Sequence, residues 1–152
     1  MSDKKELAVS ALRRGTVIDH IPSRALFKAV RLLGLDKCEN AITVGCNLPS
    51  GSLGTKGIIK VSGLHLKAAE LGRIAVIAPG ATVNTIDEYE VTDKQRVELP
   101  ETLTGVVRCA NPKCITNNEP MPTRFITVEA TAPTLRCAYC EHECTGDDIE
   151  LL

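Results

Sequence analysis

Short segments rich in β-branched residues alternate with segments of helical apolar spacing over the first hundred positions of the chain. Residues 16–21 predict a strand, and the Pro22-Ser23 pair that follows favours the start of a helix. Gly34 predicts the end of that helix, after apolar side chains that recur at helical spacing: Leu26, Phe27, Val30 and Leu33. The later segments predict strands at 41–48, 58–61, 74–78 and 82–87, a helix at 66–71 and a glycine-containing loop at 49–57.

The order of these predicted elements indicates the fold class. Counted through residues 74–78, the order is β-α-β-β-α-β, which is typical of the ferredoxin-like fold. In that fold an antiparallel sheet carries both helices on one face. We therefore predict an α+β protein whose first part is a ferredoxin-like βαββαβ sandwich.

The rest of the chain carries shorter strand candidates, at 106–108, 124–129 and 149–152. Pro100 marks the predicted join, so the predicted domains are residues 1–100 and 101–152. A segment of about fifty residues does not easily stabilise a core of its own. We therefore expect a further source of stability in the second domain.

Four cysteines in this second domain are spaced as metal ligands. Cys109 and Cys114 form a C-x4-C pair, and Cys137 and Cys140 form a C-x2-C pair. Thiolates at these spacings converge on one tetrahedral ion, and four of them leave no open position for a water molecule. We therefore predict one structural, non-catalytic Zn²⁺ per chain, held in a small all-β zinc-ribbon (rubredoxin-like) domain.

The other cysteines and the nearby histidine are weaker candidates for metal ligands. His142 and Cys144 lie just past the second pair and are the alternative ligands. Cys38 and Cys46 fall on a predicted helix-end loop and a predicted strand, where they are most simply unpaired thiols in or near the core.

Composition and charge narrow the classes of partner. Hydrophobic residues make up 43% of the chain, but aromatic residues make up only 3%, with no Trp. A single-stranded nucleic-acid platform needs exposed rings for stacking, so this composition disfavours one. Residues 1–100 carry 14 basic and 11 acidic side chains, whereas residues 101–152 carry 4 and 8. The first domain thus favours an anionic ligand, and the second disfavours a DNA or RNA backbone.

The N-terminal sequence gives no indication of export. Residues 1–6 contain no apolar stretch of the signal-peptide kind, and the apolar run at 74–78 is far too short to cross a bilayer. We expect a soluble, cytoplasmic protein, in which cysteines bind metal rather than form disulfides.

Several polar residues of the first domain could converge on one edge of the predicted sheet: Asp19, His20, Lys60, Asn84, Tyr89 and Lys94. Such a cluster could hold a nucleotide, because ammonium groups bind phosphates and a carboxylate binds ribose hydroxyls. Lone lysines at strand ends are more often simply solvated, so the cluster alone is a weak indication. The sequence has no Walker A loop, no G-x-G-x-x-G motif and no legible catalytic triad.

Several strings along the whole chain resemble one protein family, the aspartate carbamoyltransferase regulatory chain. They are RGTVIDHIP at 14–22, NLPSG at 47–51, ATVN with ID and YEV at 81–91, the first cysteine pair with Ile115 and Glu119-Pro120, and the second pair with Tyr139 and Glu141. They occur in order and with matching spacing, so chance or a shared fold alone is a poor explanation.

The resemblance implies a non-catalytic subunit that controls pyrimidine biosynthesis. Members of this family pair as homodimers through an N-terminal nucleotide-binding domain, and their zinc domain binds the catalytic chain. Two catalytic trimers and three regulatory dimers form the holoenzyme, which CTP with UTP inhibits and ATP activates. The regulatory chain carries no active site, so catalytic residues are not expected here.

The resemblance also implies roles for individual residues. Lys60 and Lys94 would contact the triphosphate, Asp19 would bind the ribose hydroxyls, and His20 and Asn84 would lie beside the phosphates. The backbone of Ala11 and Leu12 would read the base. The pocket walls would be formed by Val9, Val17, Ile86, Tyr89 and Val91. The zinc ligands would be Cys109, Cys114, Cys137 and Cys140.

Three other functions compete with this one. A chain of the same family could merely hold catalytic trimers together as a zinc-stabilised linker, because a capacity to bind is not coupling. A zinc-ribbon nucleic-acid-binding protein predicts a basic ribbon, which the acidic second domain contradicts. A small metalloenzyme predicts an open zinc position, which four cysteine ligands contradict.

Overall fold

The computed structural model describes residues 11–51 and 53–152 of the chain. Its first part contains five strands and two helices: β1 Gly15–Pro22, α1 Leu26–Leu32, β2 Ile42–Ser50, β3 Gly54–Ser62, α2 Ala68–Ile77, β4 Thr82–Asp87 and β5 Glu90–Arg96. The strands form one antiparallel sheet in the order β2-β3-β1-β4-β5. The first four strands have the order expected of a ferredoxin-like βαββαβ unit, with β5 added at one edge, so the predicted fold class is confirmed.

The prediction of a strand at 74–78 was wrong, because residues 74–77 form the C-terminal part of α2 and Ala78 caps it. Ile74, Ala75 and Ala78 are buried in the core of the first domain, whereas Val76 is buried in a second cluster beyond it. A helix that is covered on two sides lacks a single apolar stripe, and a short continuous apolar run does not distinguish helix from strand. The fourth strand of the βαββαβ order is therefore β4.

The loop predicted at 49–57 is also shorter than expected. β2 continues to Ser50 and β3 begins at Gly54, so the two strands form a hairpin. The glycines there occupy a turn and the start of a strand. Gly57 lies within β3, where an added Cβ would come within 2.9 Å of the Leu26 side chain.

The main core lies between one face of the sheet and the two helices. Ile18 of β1, Ile59 and Val61 of β3 and Val83 of β4 point into it and are at most 5% exposed. Successive side chains of a strand point to opposite faces, so the residues between these belong to the other face. That second face carries no helix of the described residues and is here called the open face.

The second part of the chain is a small all-β unit. Its strands are β6 Thr102–Thr104, β7 Val107–Arg108, β8 Arg124–Glu129, β9 Thr134–Cys137, β10 Glu143–Thr145 and β11 Glu150–Leu151. They form a four-stranded sheet in the order β10-β9-β8-β6 and a two-stranded sheet of β11 and β7. The strands predicted at 106–108, 124–129 and 149–152 are present. The strands β6, β9 and β10, of three or four residues each, were not predicted.

The core of this unit is small and includes a residue from the first domain. Val107, Phe125 and Leu135 are at most 1% exposed and pack with buried cysteines and with Val76 of α2. The C-terminal half of α2 is thus shared between the two cores. This shared helix joins the sheet of the first domain to the second domain.

Gly15 at the start of β1 is expected to be among the least replaceable positions in the sheet. Its φ is +145°, and an added Cβ would come within 2.0 Å of the Val61 carbonyl oxygen on β3. Gly15→Ala is therefore expected to lower the free energy of unfolding by at least about 2 kcal/mol. Gly72→Ala, inside α2 with no atom within 4 Å of the added Cβ, is the matched control and should stabilise by about 0.5–1 kcal/mol. Urea unfolding of both variants measures the difference, and equal stabilities would contradict the prediction.

Candidate metal centre and ligand surface

Four thiols of the second domain converge at one point. The Sγ atoms of Cys109, Cys114, Cys137 and Cys140 all lie within 4.8 Å of one another. Two of the separations are 3.5 Å, between Cys109 and Cys140, and 3.7 Å, between Cys114 and Cys137. A tetrahedral zinc with Zn–S bonds of about 2.3 Å places its sulfurs about 3.8 Å apart, so the spacing fits such an ion. This cluster is here called the four-cysteine cluster.

Neither alternative ligand belongs to this cluster. Cys144 is buried in the neighbouring core, opposite Leu135 on β9, and His142 is exposed. Cys38 and Cys46 are free thiols packed partly buried against the first core, as predicted.

The loop that carries the first cysteine pair is held by asparagine side chains. The Asn117 amide donates hydrogen bonds to the carbonyls of Cys109 (2.9 Å) and Asn111 (2.8 Å). The Asn118 amide donates to the carbonyl of Cys114 at 2.8 Å, and the Asn111 side chain accepts from the Lys113 N–H at 3.0 Å. The carbonyls of Asn111 and Cys114 also accept backbone N–H groups, so the asparagine side chains add a second set of hydrogen bonds that holds the loop.

The second pair lies where β9 ends. The Cys137 N–H donates to the His142 carbonyl at 2.9 Å, which extends the β9–β10 ladder by one residue. The Glu141 N–H returns to the Cys137 carbonyl at 2.9 Å, and Glu141 has a left-handed φ of 64°. The chain thus makes a tight knuckle that brings Cys140 back toward Cys137.

The thiols of the cluster differ in how readily they ionise. Burial raises the pKa of Cys109 and of Cys137. Burial also opposes ionisation of Cys114, but hydrogen bonds from the side chain and backbone of Thr116 outweigh it and lower the pKa of Cys114 to about 7. Four thiolates in one buried site repel one another, so a cation is the natural counter-charge. The donor set of four thiols suits a soft or borderline metal such as zinc.

The open face of the first domain carries a row of residues that pair directly across four strands. Lys60 on β3 is opposite Val17 on β1, Val17 is opposite Asn84 on β4, and Asn84 is opposite Lys94 on β5. Directly paired residues point to the same face of a sheet. The structure therefore brings four of the sequence-predicted residues into one line, here called the lysine row.

A second row lies beside the first, toward the end of β1. Asp19 is opposite Thr82, and Thr82 is opposite Arg96. The Asp19 carboxylate pairs with the Lys56 ammonium at 2.9 Å and accepts the His20 N–H at 2.7 Å. His20 has a left-handed φ of 61° at a bulge in β1, and its Nδ1 lies 3.2 Å from the Thr82 hydroxyl.

The remaining predicted residues lie at the other end of the open face. Ile86 of β4 is opposite Val91 of β5, and Tyr89 occupies the turn between these strands. The Tyr89 N–H donates to the Arg13 carbonyl at 3.0 Å, which ties the segment before β1, beginning at Ala11 and Leu12, to this turn. Val9 lies outside the described residues.

The two lysines of the row differ in how far they are exposed to solvent. Lys60 is half-buried, and burial lowers the pKa of its ammonium group, whereas Lys94 is exposed. A polyanion placed at Lys60 would offset the cost of holding a charge there.

Sequence reasoning missed three polar residues of the open face: Lys56, Thr82 and Arg96. Thr82 and Arg96 are in register with Asp19, and Lys56 reaches Asp19 from the neighbouring strand β3. Their positions depend on strand pairing, and alternation along one strand does not show it.

The surface around the four-cysteine cluster exposes apolar side chains. Ile115, next to Cys114, and Tyr139, next to Cys140, are 49% and 47% exposed.

No helix in the described parts of the chain is long and apolar enough to cross a membrane.

Comparison with known proteins gives matches to both parts of the chain. The family model for the aspartate carbamoyltransferase regulatory chain, allosteric domain, matches residues 7–98. The model for the metal binding domain of the same chain matches residues 101–150. The aspartate carbamoyltransferase regulatory chain of Porphyromonas gingivalis is 54% identical over 149 residues, which cover 98% of this chain and 99% of the relative.

Regulatory chains of two other organisms are also similar over nearly their whole length. The regulatory chain of Parabacteroides distasonis is 50% identical, over 96% of this chain and 95% of the relative. That of Pyrococcus horikoshii is 44% identical, over 95% of this chain and 96% of the relative. The similarity thus extends through both the open-face sheet and the four-cysteine domain.

Proposed function

Because the chain belongs to the aspartate carbamoyltransferase regulatory chain family, we propose that its open face binds a nucleoside triphosphate and thereby controls a separate catalytic chain. The relatives are named regulatory chains, and the chain is accordingly a regulatory subunit rather than a catalytic one. The family models describe an allosteric domain and a metal-binding domain. The proposal assigns the effector to residues 1–100 and the metal and the catalytic partner to residues 101–152.

The observation that carries the effector proposal is the lysine row. Lys60 and Lys94 lie on the two outer strands of the row, roughly 14 Å apart at their backbones because neighbouring strands are about 4.8 Å apart. Their long side chains can therefore approach an extended phosphate chain from both sides. Asn84 lies between them and can donate its amide N–H to phosphate oxygens.

The ribose and the base would bind to residues at the two ends of the open face. Asp19 would accept hydrogen bonds from the ribose hydroxyls with the lone pairs that Lys56 and the His20 N–H leave available. His20 would lie beside the phosphates. The backbone of Ala11 and Leu12 would read the base. The walls around the base and sugar would be Val9, Val17, Ile86, Tyr89 and Val91.

The four-cysteine cluster is proposed to hold one structural Zn²⁺. Zinc would supply a counter-charge for four thiolates and complete the core of the second domain, without an open position for chemistry. The ligands would be Cys109, Cys114, Cys137 and Cys140.

Contact with the catalytic chain is proposed for the surface beside the two cysteine pairs. The segment 115–122 follows Cys114 directly, and the exposed side chains of Ile115 and Tyr139 offer apolar area there. The chain is also proposed to form a homodimer through its first domain. CTP with UTP would inhibit the holoenzyme, and ATP would activate it.

Control requires that the nucleotide bind two states of the holoenzyme with different affinity. Coupling of this kind is typically about 1–3 kcal/mol, so modest differences in contact suffice. The physical connection is the C-terminal half of α2, where Ala75 packs in the first core and Val76 in the second. A shift of the sheet would thus reach the four-cysteine domain through one helix.

A calorimetric titration of the zinc-loaded chain tests effector binding directly. CTP, UTP and ATP are expected to bind saturably, and CTP should bind more tightly than CMP, which should bind more tightly than cytidine, because phosphates carry the charge that lysines recognise. Cytidine serves as the control for contacts to base and sugar alone. A folded, zinc-loaded chain that binds none of the triphosphates would instead be a structural linker of catalytic trimers.

A further inference from the structure

An ion pair and a hydrogen bond join the segment before β1 to the β4–β5 turn. The Arg13 Nη2 atom lies 3.3 Å from Glu88 Oε1, and the Arg13 carbonyl accepts the Tyr89 N–H at 3.0 Å. These two contacts are here called the Arg13–Glu88 clasp. Arg13 follows Ala11 and Leu12 directly, so the clasp fixes the end of the segment proposed to read the base.

The turn at the other side of the clasp is conformationally costly. Asp87 pairs with Glu90, so the hairpin loop is the two residues Glu88 and Tyr89, with φ angles of 47° and 66°. Positive φ at both positions defines a type I′ turn, in which Asn and Gly are favoured. Neither is present here, so contacts from outside the hairpin help to hold this conformation.

We propose that the Arg13–Glu88 clasp is a positioning device that sets the affinity of the effector site. It ties the Ala11–Leu12 segment to the β4–β5 turn that carries Tyr89, so that the pocket for the base is formed before the nucleotide binds. A preorganised wall loses less conformational freedom on binding than one that must order around the ligand. This inference rests on the proposed function of the open face.

Both side chains of the clasp are exposed, so their effect on nucleotide binding can be tested without disturbing the fold. The Arg13 and Glu88 side chains are 69% and 71% exposed, and neither belongs to a buried cluster. Exposed ion pairs contribute little to global stability. Their replacement is therefore expected to leave the fold intact while weakening nucleotide binding.

The direction in which nucleotide affinity changes in the two single variants distinguishes a positioning role from a direct effect of charge. Glu88→Gln removes a negative charge near a polyanion, so electrostatics alone predicts tighter binding, whereas Arg13→Gln removes a positive charge and predicts weaker binding. Loss of the clasp predicts weaker binding in both. We expect each variant to raise the Kd for CTP and ATP about two- to fivefold, as for loss of one exposed ion pair.

The experiment is calorimetric titration of the zinc-loaded native chain and its variants with CTP and with ATP. The charge-exchanged double variant, Arg13→Glu with Glu88→Arg, should recover most of the affinity, and the differences should shrink at high salt. The control is Arg108→Gln and Glu150→Gln, because that ion pair is similarly exposed, at 3.7 Å, and lies in the second domain. These two variants should bind as the native chain does.

Amide hydrogen exchange at Tyr89 in the unliganded chain tests the clasp without nucleotide. Glu88→Gln is expected to speed exchange of the Tyr89 N–H, and unchanged exchange would overturn the clasp. If the native chain binds nucleotide but Glu88→Gln binds it more tightly, the positioning role is overturned and the proposed function still stands. The same holds if the charge-exchanged double variant does not recover affinity. A native chain that binds neither nucleotide would overturn both the proposed function and the role of the clasp in affinity.

Discussion

Replacing Cys137 with serine is expected to unfold residues 101–152 while the sheet of β1–β5 remains folded. Cys137 is fully buried at the end of β9 and belongs to the four-cysteine cluster. A serine cannot replace a thiolate ligand, and the binding free energy of structural zinc in small domains is about 10–16 kcal/mol. That free energy greatly exceeds the stability that a domain of this size gains from its core alone.

The packing of the second domain explains why the loss should be complete rather than local. Its core consists of short strands around Phe125, Val107 and Leu135, and the buried cysteines form one side of it. Without the metal, the buried cysteines have no cation to balance their thiolate charges, and this side of the core is destabilised. The core of the first domain contains none of the four cysteines, so its sheet should persist.

Two-dimensional amide NMR of the isotope-labelled chain measures this outcome residue by residue, and atomic absorption identifies the metal. Signals of residues 101–152 should collapse in Cys137→Ser and on treatment of the native chain with a strong chelator. Cys144→Ala is the matched control, because Cys144 is buried in the same core but outside the cluster. Native signals in a metal-free Cys137→Ser chain would contradict the prediction. The unfolded variant should also fail to bind the catalytic chain.

The four-cysteine cluster could be predicted from the sequence because ligand spacing is local. A C-x4-C or C-x2-C pair fixes a knuckle within a few residues, and the two knuckles then need only meet. The asparagines that hold the first knuckle, Asn117 and Asn118, were not predicted. Their amides reach back across four to eight residues, and no spacing rule indicates these contacts.

The open face was predictable in composition but not in geometry. Lys60, Asn84 and Lys94 were candidates as separate polar residues, yet their direct alignment depends on the register of three strand pairs. That register includes bulges in β1 and β5, one of them at His20. The Lys56–Asp19 ion pair depends on the same register and was missed for this reason.

The misassignment of 74–78 shows a different limit. Periodicity identifies a helix that buries one face, but α2 buries Ala75 in one core and Val76 in the other. The residues that connect the two domains are thus the ones whose pattern is least informative.

Replacing Lys60 with alanine is expected to raise the Kd for CTP and ATP roughly ten- to a hundredfold, and Lys94→Ala should act in the same direction. Each change removes a charge-assisted contact to phosphate, worth about 1.5–3 kcal/mol, where 1.4 kcal/mol is a factor of ten. Lys60 is half-buried and its pKa is lowered by burial, so its ammonium is less screened by water than that of Lys94. The Lys60 variant should therefore show the larger loss.

Calorimetric titration of the zinc-loaded variants measures the loss, and ligand-induced thermal stabilisation gives a second reading. Lys37→Ala is the matched control, because Lys37 is an exposed lysine of the same domain, in the turn Leu35–Lys37 beyond α1 and outside the lysine row. It should bind nucleotide as the native chain does. Comparison with CMP and cytidine separates the lysines' roles, because a lysine that contacts the triphosphate should not affect binding of cytidine. Equal losses for cytidine and CTP would mean that the lysines shape the site rather than bind phosphate, and the triphosphate would then lie elsewhere on the open face.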